Sequence, residues 1–196
     1  MSEVAAAYAA REKATARERL LAAADELFYA EGLNTVGIDR VIERAGVAKA
    51  SLYSIFGSKE ELIRAYLQAK HESRKARLEQ RLRGVMSPRA RLLAVFDQQA
   101  DNASDPNFRG CAFVRARVEL RDGSPVKAVC DQTRIWLKEL FVSLAREAGA
   151  GDPAGLAEQL SLLYDGATVA TQMDGDIDAP RRARRLAETL LDSSVR

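Results

Sequence analysis

Lys49, Ala50, Ser51, Tyr53 and Ser54 combine one cation, small residues and three hydroxyls on what the spacing makes the outward side of a short helix. Lysine and hydroxyl groups bond phosphate oxygens, and small side chains let a helix backbone approach base edges. Leu52, Ile55 and Phe56 of the same run point the other way. The run just before it carries Ile38, Val41, Ile42 and Ala45 at i, i+3, i+4 and i+7, one face of an amphipathic helix. Gly46 ends that helix, because glycine takes the left-handed conformation at little steric cost, and Val47 plugs the corner. Two short helices joined by a glycine-containing turn make a helix-turn-helix, whose second helix lies in the major groove in nucleic-acid readers of this kind. The same geometry also serves as a plain helical hairpin with a solvated polar face, and the pattern alone leaves both readings open.

Residues 17–67 carry a more specific signal. Leu20, Ala24, Leu27 and Phe28 form a first-helix stripe, followed by Gly32 and the Ala45-Gly46-Val47 corner. Leu52-Tyr53, Phe56 and Ser58-Lys59-Glu60-Glu61-Leu62 complete the series. In order and spacing this stretch resembles the DNA-binding domain of the tetracycline-repressor (TetR) family of bacterial regulators. The resemblance implies DNA contacts at Thr35, Gly37, Ala48, Lys49, Ala50, Ser51, Tyr53, Ser54 and Lys59. Two positions depart from the family pattern, Gly37 standing where serine or threonine is common and Ala48 where serine is common. Neither has a side-chain hydroxyl, so contacts there are expected from the backbone, with Thr35 the nearest substitute.

A chain of 196 residues with 47% hydrophobic residues, 12 Gly and 5 Pro is long enough for one or two small domains with a real core. Few aromatics and abundant alanine favour helices. The net charge of +2 rules out a polycation. Its placement is uneven: residues 1–83 hold 15 Lys+Arg against 12 Asp+Glu, and residues 84–196 hold 15 against 16. This tilt fits a DNA-binding front half. With no secretory core segment and no run of 18 apolar residues, no membrane span is expected and the setting reads as cytoplasmic, which the resemblance narrows to a bacterial, nucleoid-associated one. Cys111 and Cys130 read there as reduced thiols, either a regulatory pair or two small core residues.

The expected architecture is all-α, with about nine helices. Residues 1–14 form a flexible arm whose Arg11 and Lys13 either touch DNA or belong to a plain tail. Residues 15–62 form the three-helix helix-turn-helix domain, opened by a capping box at Thr15–Glu18. A second capping box, Ser58–Glu61, starts a long helix, amphipathic through Leu62, Ile63, Tyr66 and Leu67, whose second half from Lys70 to Arg83 is nearly all polar and is expected to have water around most of its surface, with residues 63–86 serving as connector. His71 within it has no metal-ligand partner and reads as a surface residue. Residues 87–196 form a helical ligand-binding and dimerisation domain, with helix starts at Ser87-Pro88, Ser124-Pro125, Asp152-Pro153 and Pro180. A helix over 110–120 resembles a segment of the regulatory domain in one branch of the family. Arg115, Arg117 and Arg121 near Glu119 suggest surface ion pairs there. The acidic turn at Asp174–Asp178 lacks the loop and terminal glutamate of a calcium site and reads as a polar turn.

Beyond DNA, the resemblance implies a homodimer built from the last two helices and a small-molecule effector bound in the C-terminal half. Leu156, Leu160, Leu163, Gly166, Ala167, Ala170, Leu186 and Leu190 are the interface candidates. Phe96, Gln99, Phe113, Arg117, Trp136 and Tyr164 are the pocket candidates, aromatic walls with polar handles, each equally at home in a core. The implied function is a repressor holding a pseudo-palindromic operator until effector releases it. An enzyme is disfavoured: there is one histidine, no His/Cys metal cluster and no phosphate-cradling glycine loop, and no cofactor is expected. A DNA-binding protein whose C-terminal half only dimerises is the third reading.

Overall fold

The computed structural model describes residues 14–121 and 123–195, so the expectations for the arm at residues 1–13 lie outside the described residues. Thr15 and Glu18 cap each other as their spacing demands. The Thr15 hydroxyl accepts from the Glu18 amide at 3.2 Å, and the Glu18 carboxylate accepts from the Thr15 amide at 2.7 Å. They open α1, Ala16–Glu31. The next helices are α2, Ile38–Ala45, α3, Lys49–Phe56, and α4, Lys59–Leu82. Then come α5, Pro88–Ala103, α6, Ala112–Glu119, and α7, Val126–Glu147. Finally α8 spans Pro153–Asp174 and α9 spans Ala179–Ser194. Among the described residues the fold is all-α.

Two compact units divide these elements. One comprises the described residues through Lys70 together with Ala112–Cys130, and the other comprises His71–Cys111 and Asp131 onward. Helices α4 and α7 therefore each contribute residues to both.

In the first unit Leu20, Ala24 and Phe28 of α1 are buried together with Val41 and Ala45 of α2, Leu52 of α3, and Leu62 and Tyr66 of α4. Phe28 and Tyr66 meet edge to face at 5.7 Å. Gly46 takes φ 63°, ψ 46° after α2. Its amide bonds Glu43 O at 3.1 Å and the Val47 amide bonds Ile42 O at 3.3 Å, the paired bonds of a left-handed helix stop. Arg19 of α1 holds the Gly46 carbonyl at 3.3 Å, tying the corner to the first helix. One inward assignment is corrected: Ile55 is 37% exposed and lies at the rim, because an eight-residue helix lays only Leu52 fully into the core.

In the second unit Phe96 of α5 and Phe141 of α7 are fully buried, with ring centres 5.7 Å apart. Ala179, Ala183 and Ala187 recur every fourth residue along the buried side of α9, which packs on α8 and α5. Such small side chains let helix backbones approach closely. Most of the second half of α4 is exposed or partly exposed, as expected, and two of its residues turn inward. Leu78 belongs to the core, and His71 is 1% exposed. His71 is therefore not a surface residue. Its Nδ1 lies 3.0 Å from the Thr133 hydroxyl, and its ring meets the Trp136 ring edge-on at 5.6 Å.

Candidate nucleic-acid interface

The corner at Gly46 turns α3 so that Leu52 faces inward, and this leaves Lys49, Ala50, Tyr53 and Ser54 exposed and Ser51 partly exposed. Tyr53 stands 46% exposed despite its large ring. Gly37 and Ala48 are the N-caps of α2 and α3, both in extended conformation and both without a side-chain cap bond. Both helix starts thus present first-turn amides, at the positive end of the helix dipole, with no side-chain cap bond, although α2 carries Asp39 in its first turn. This arrangement suits phosphate oxygens. Thr35 is exposed in the turn before Gly37.

Lys49 is not idle. Its ammonium donates to Asp39 Oδ1 at 2.9 Å, with side chains 59% and 78% exposed, and that bond raises the lysine's pKa above its usual value. Asp39, in the first turn of α2, was missed by sequence reasoning. It stands ten residues before Lys49, across a corner that no helical periodicity spans. Lys59 differs from the others. Its ammonium is partly buried 6.0 Å from the centre of the Phe28 ring, and burial lowers its pKa, opposed by Glu119.

A second residue missed by pattern reading positions this face. Glu119 of α6 does more than pair with Arg115 on its own helix. Its Oε2 accepts from the Leu33 amide at 2.7 Å and the Asn34 amide at 3.1 Å, while Asn34 Nδ2 donates to Glu119 O at 2.9 Å. Arg115 donates to the Tyr29 carbonyl at 2.7 Å. Together they fix the turn between α1 and α2, which carries Thr35 and Gly37. The sequence distance of 85 residues hides the contact.

The pocket candidates are divided between the two units. Phe96, Gln99, Trp136 and Tyr164 lie in the second unit, and Phe113, buried, and Arg117, exposed, lie in the first. Phe96 and Tyr164 meet with ring centres at 5.9 Å, and Gln99 Nε2 donates to the Tyr164 carbonyl at 2.7 Å and the Thr168 hydroxyl at 2.8 Å. The interface candidates also divide. Leu156, Leu160 and Ala167 are buried in the unit's own core, Leu163, Ala170 and Leu190 are partly buried, and Gly166 and Leu186 are exposed. The exposed apolar side of these helices adds Leu162, Val169 and Met173. Both sides of α8 are apolar, and chain-internal packing covers the side the periodicity singled out. Cys130 is buried in the first unit and Cys111 is partly exposed in the second, neither in a disulfide among the described residues. Among the described residues no His, Cys, Asp and Glu group is arranged to hold a metal ion, and no helix is long and apolar enough to cross a membrane.

A tight two-helix corner, an exposed second helix with short polar side chains, and two uncapped helix starts define a helix-turn-helix DNA-binding module on an all-α scaffold. The family of bacterial regulatory proteins named for tetR matches residues 20–66. The crystal structure of SCO4454, a TetR-family transcriptional regulator from Streptomyces coelicolor, aligns with a TM-score of 0.86 at 31% identity over 92% of this chain and 96% of that one. The transcriptional repressor NemR of Escherichia coli K12 is 28% identical over 168 residues, 80% of this chain and 84% of NemR. The transcriptional activator FasR of Mycolicibacterium smegmatis is 40% identical over 81 residues, which span 41% of this chain and only 37% of FasR. The chain belongs to the TetR family and is a helix-turn-helix transcriptional regulator.

Proposed function

We propose that the protein is a homodimeric repressor that holds a pseudo-palindromic operator through α3 and lets go when a small-molecule effector binds its C-terminal half. The observation that carries the reading is the exposed face of Lys49, Ala50, Tyr53 and Ser54 on a helix whose start, like that of α2 before it, lacks a side-chain cap. Lys49, Tyr53, Ser51, Ser54 and Thr35 supply phosphate and base-edge bonds, and Ala50 admits the backbone to the groove. Gly37 and Ala48 contribute amides. Lys59 contributes only after its ammonium leaves the Phe28 ring.

The dimer forms on the exposed side of α8 and α9, where Leu162, Gly166, Val169, Met173 and Leu186 are left exposed by the described residues. In that assembly two copies of α3 meet half-sites about 34–36 Å apart. Residues 15–62 act as the reading domain, 63–86 as the connector and 87–196 as the effector and dimerisation domain. Effector releases DNA by binding one conformation more tightly than the other. The similarity to NemR, which covers most of both chains, supports repression.

Selection of duplexes from a random pool, followed by fluorescence anisotropy against salt, tests the reading. A recovered pseudo-palindrome bound at least about a thousandfold more tightly than random duplex is the expected result. Lys49→Ala and Tyr53→Phe should weaken that complex while the dimer stays folded. Parent-like binding by both variants would place the reading helix elsewhere.

A further inference from the structure

Among the described residues of the second unit, one partly buried arginine lacks a carboxylate at ion-pair distance. Of the unit's partly buried arginines, Arg81 pairs with Asp101, Arg91 with Glu147 and Arg184 with Asp97. Arg74 of α4 has no carboxylate at ion-pair distance among the described residues. Asp165 acts on it only through space and is itself bonded to Arg134 at 2.8 Å. The Arg74 guanidinium lies 5.8 Å from the Trp136 ring centre and 5.5 Å from that of Tyr164, and it donates one bond to the Tyr164 hydroxyl at 3.1 Å. A guanidinium has five N–H donors in a fork that matches a carboxylate, so one neutral hydroxyl leaves most of its capacity unused. Removing a cation from water without an anion is unfavourable, and stacking on rings offsets only part of it.

Arg74 faces a crevice shared with Arg77, Gln98, Asn102, Leu137 and Tyr164, whose volume of about 10 Å³ holds roughly one water. No acidic side chain lines it. Tyr164 forms one wall. Its hydroxyl is held by Arg74 and its carbonyl by Gln99, whose own Oε1 is buried without a hydrogen-bond partner.

We propose that Arg74 is the anchor for an organic carboxylate, which replaces the Tyr164 hydroxyl on the guanidinium and lays its apolar body along the Trp136 and Tyr164 rings. The exchange trades a bond to a neutral acceptor for a bidentate, charge-assisted pair. Tyr164 swings aside to make the room that the closed crevice lacks. This assignment rests on the effector-responsive reading above and names the chemical class of the effector.

Isothermal titration of the full-length protein with benzoate, phenylacetate and decanoate, each against its neutral amide, tests it. At least one carboxylate should bind, its amide about ten- to a hundredfold more weakly, and Arg74→Gln should lose the preference. Tyr164→Phe removes the internal competitor and should tighten carboxylate binding several-fold, a gain that a purely structural Arg74 would not produce. Absence of binding by all three acids, equal binding of acid and amide, or weaker binding in Tyr164→Phe would overturn the assignment. Operator affinity without added acid is measured separately. Its failure in the parent protein counts against the repressor reading, and failure of the titrations with operator binding intact counts against Arg74 alone.

Discussion

The face of α3 and the aromatic centre of the second unit divide the work of the chain in opposite ways. On α3, Lys49, Ala50, Tyr53 and Ser54 are exposed and only Leu52 is fully buried. Around Phe96 and Phe141, ring packs on ring with no exposure. Changes on the first surface should alter what the protein binds and leave folding almost untouched. Changes in the second should alter folding first. The proposed DNA-reading face and the Phe96–Phe141 core thus fall on separate residues.

The largest expected effect comes from the core. Phe141→Ala deletes a ring that contacts both Phe96 and Tyr164, the latter at 6.2 Å between ring centres. It should destabilise the protein by about 3–5 kcal/mol, read as a lowered urea midpoint. Tyr53→Phe in the same experiment should stay within about 0.5 kcal/mol of the parent. A similar loss for both would erase the division.

Gly46→Ala probes the corner between these extremes. An added Cβ there meets nothing within 4 Å, so the cost is purely that of φ 63°. A loss of about 1–2 kcal/mol is expected, again from chemical denaturation. Operator binding should fall further than stability does, because the corner sets the angle of α3.

Much of this corner was readable in the sequence. Thr15–Glu18, Gly46, Ser87-Pro88 and Asp152-Pro153 act through neighbours a few residues away, and the helices start and stop where those signals stand. What escaped was set by contacts distant along the chain. Glu119 reaches the Leu33 amide 86 residues away, and Thr133 covers His71 across 62. A single residue such as His71 in a mostly solvated polar stretch reads as exposed until the helix that covers it is in place. The apolar periodicity of α8 likewise reports a buried face without saying whether the cover comes from its own chain or another.

Asp39 offers a sharper test of the reading face than a lysine deletion alone. Lys49→Ala should lower operator affinity and reduce the salt slope of log affinity by about one, as expected for one phosphate contact. Asp39→Asn removes the acid that holds Lys49 at 2.9 Å and with it a negative charge on the proposed DNA face. Binding to operator and to random duplex should both tighten, seen as anisotropy at fixed salt. Both side chains are well exposed, so thermal stability should hardly change in either variant. Weaker binding by Asp39→Asn would mean that the pair orients Lys49 rather than competing for it.

His71 gives the smallest effect and the most diagnostic sign. Burial lowers its pKa below the usual 6.5, opposed by Glu72 and reinforced by Lys75 and Arg74. The folded protein therefore keeps the ring neutral at pH values where the unfolded chain protonates it. Between the depressed folded value and 6.5 the unfolded state binds more protons, so stability from this group is fully present above 6.5 and is lost as pH falls through the window. A urea titration series across that range should show the midpoint rising with pH, and His71→Gln should flatten that part of the slope whatever it does to the absolute midpoint. A slope of the opposite sign would mean that the buried ring carries a proton, and that Thr133 accepts from the imidazolium instead of sharing a proton with neutral imidazole. An unchanged slope in His71→Gln would assign the pH dependence to carboxylates elsewhere. The contrast with Lys49 would then lose its electrostatic half, because only the exposed surface would respond to charge.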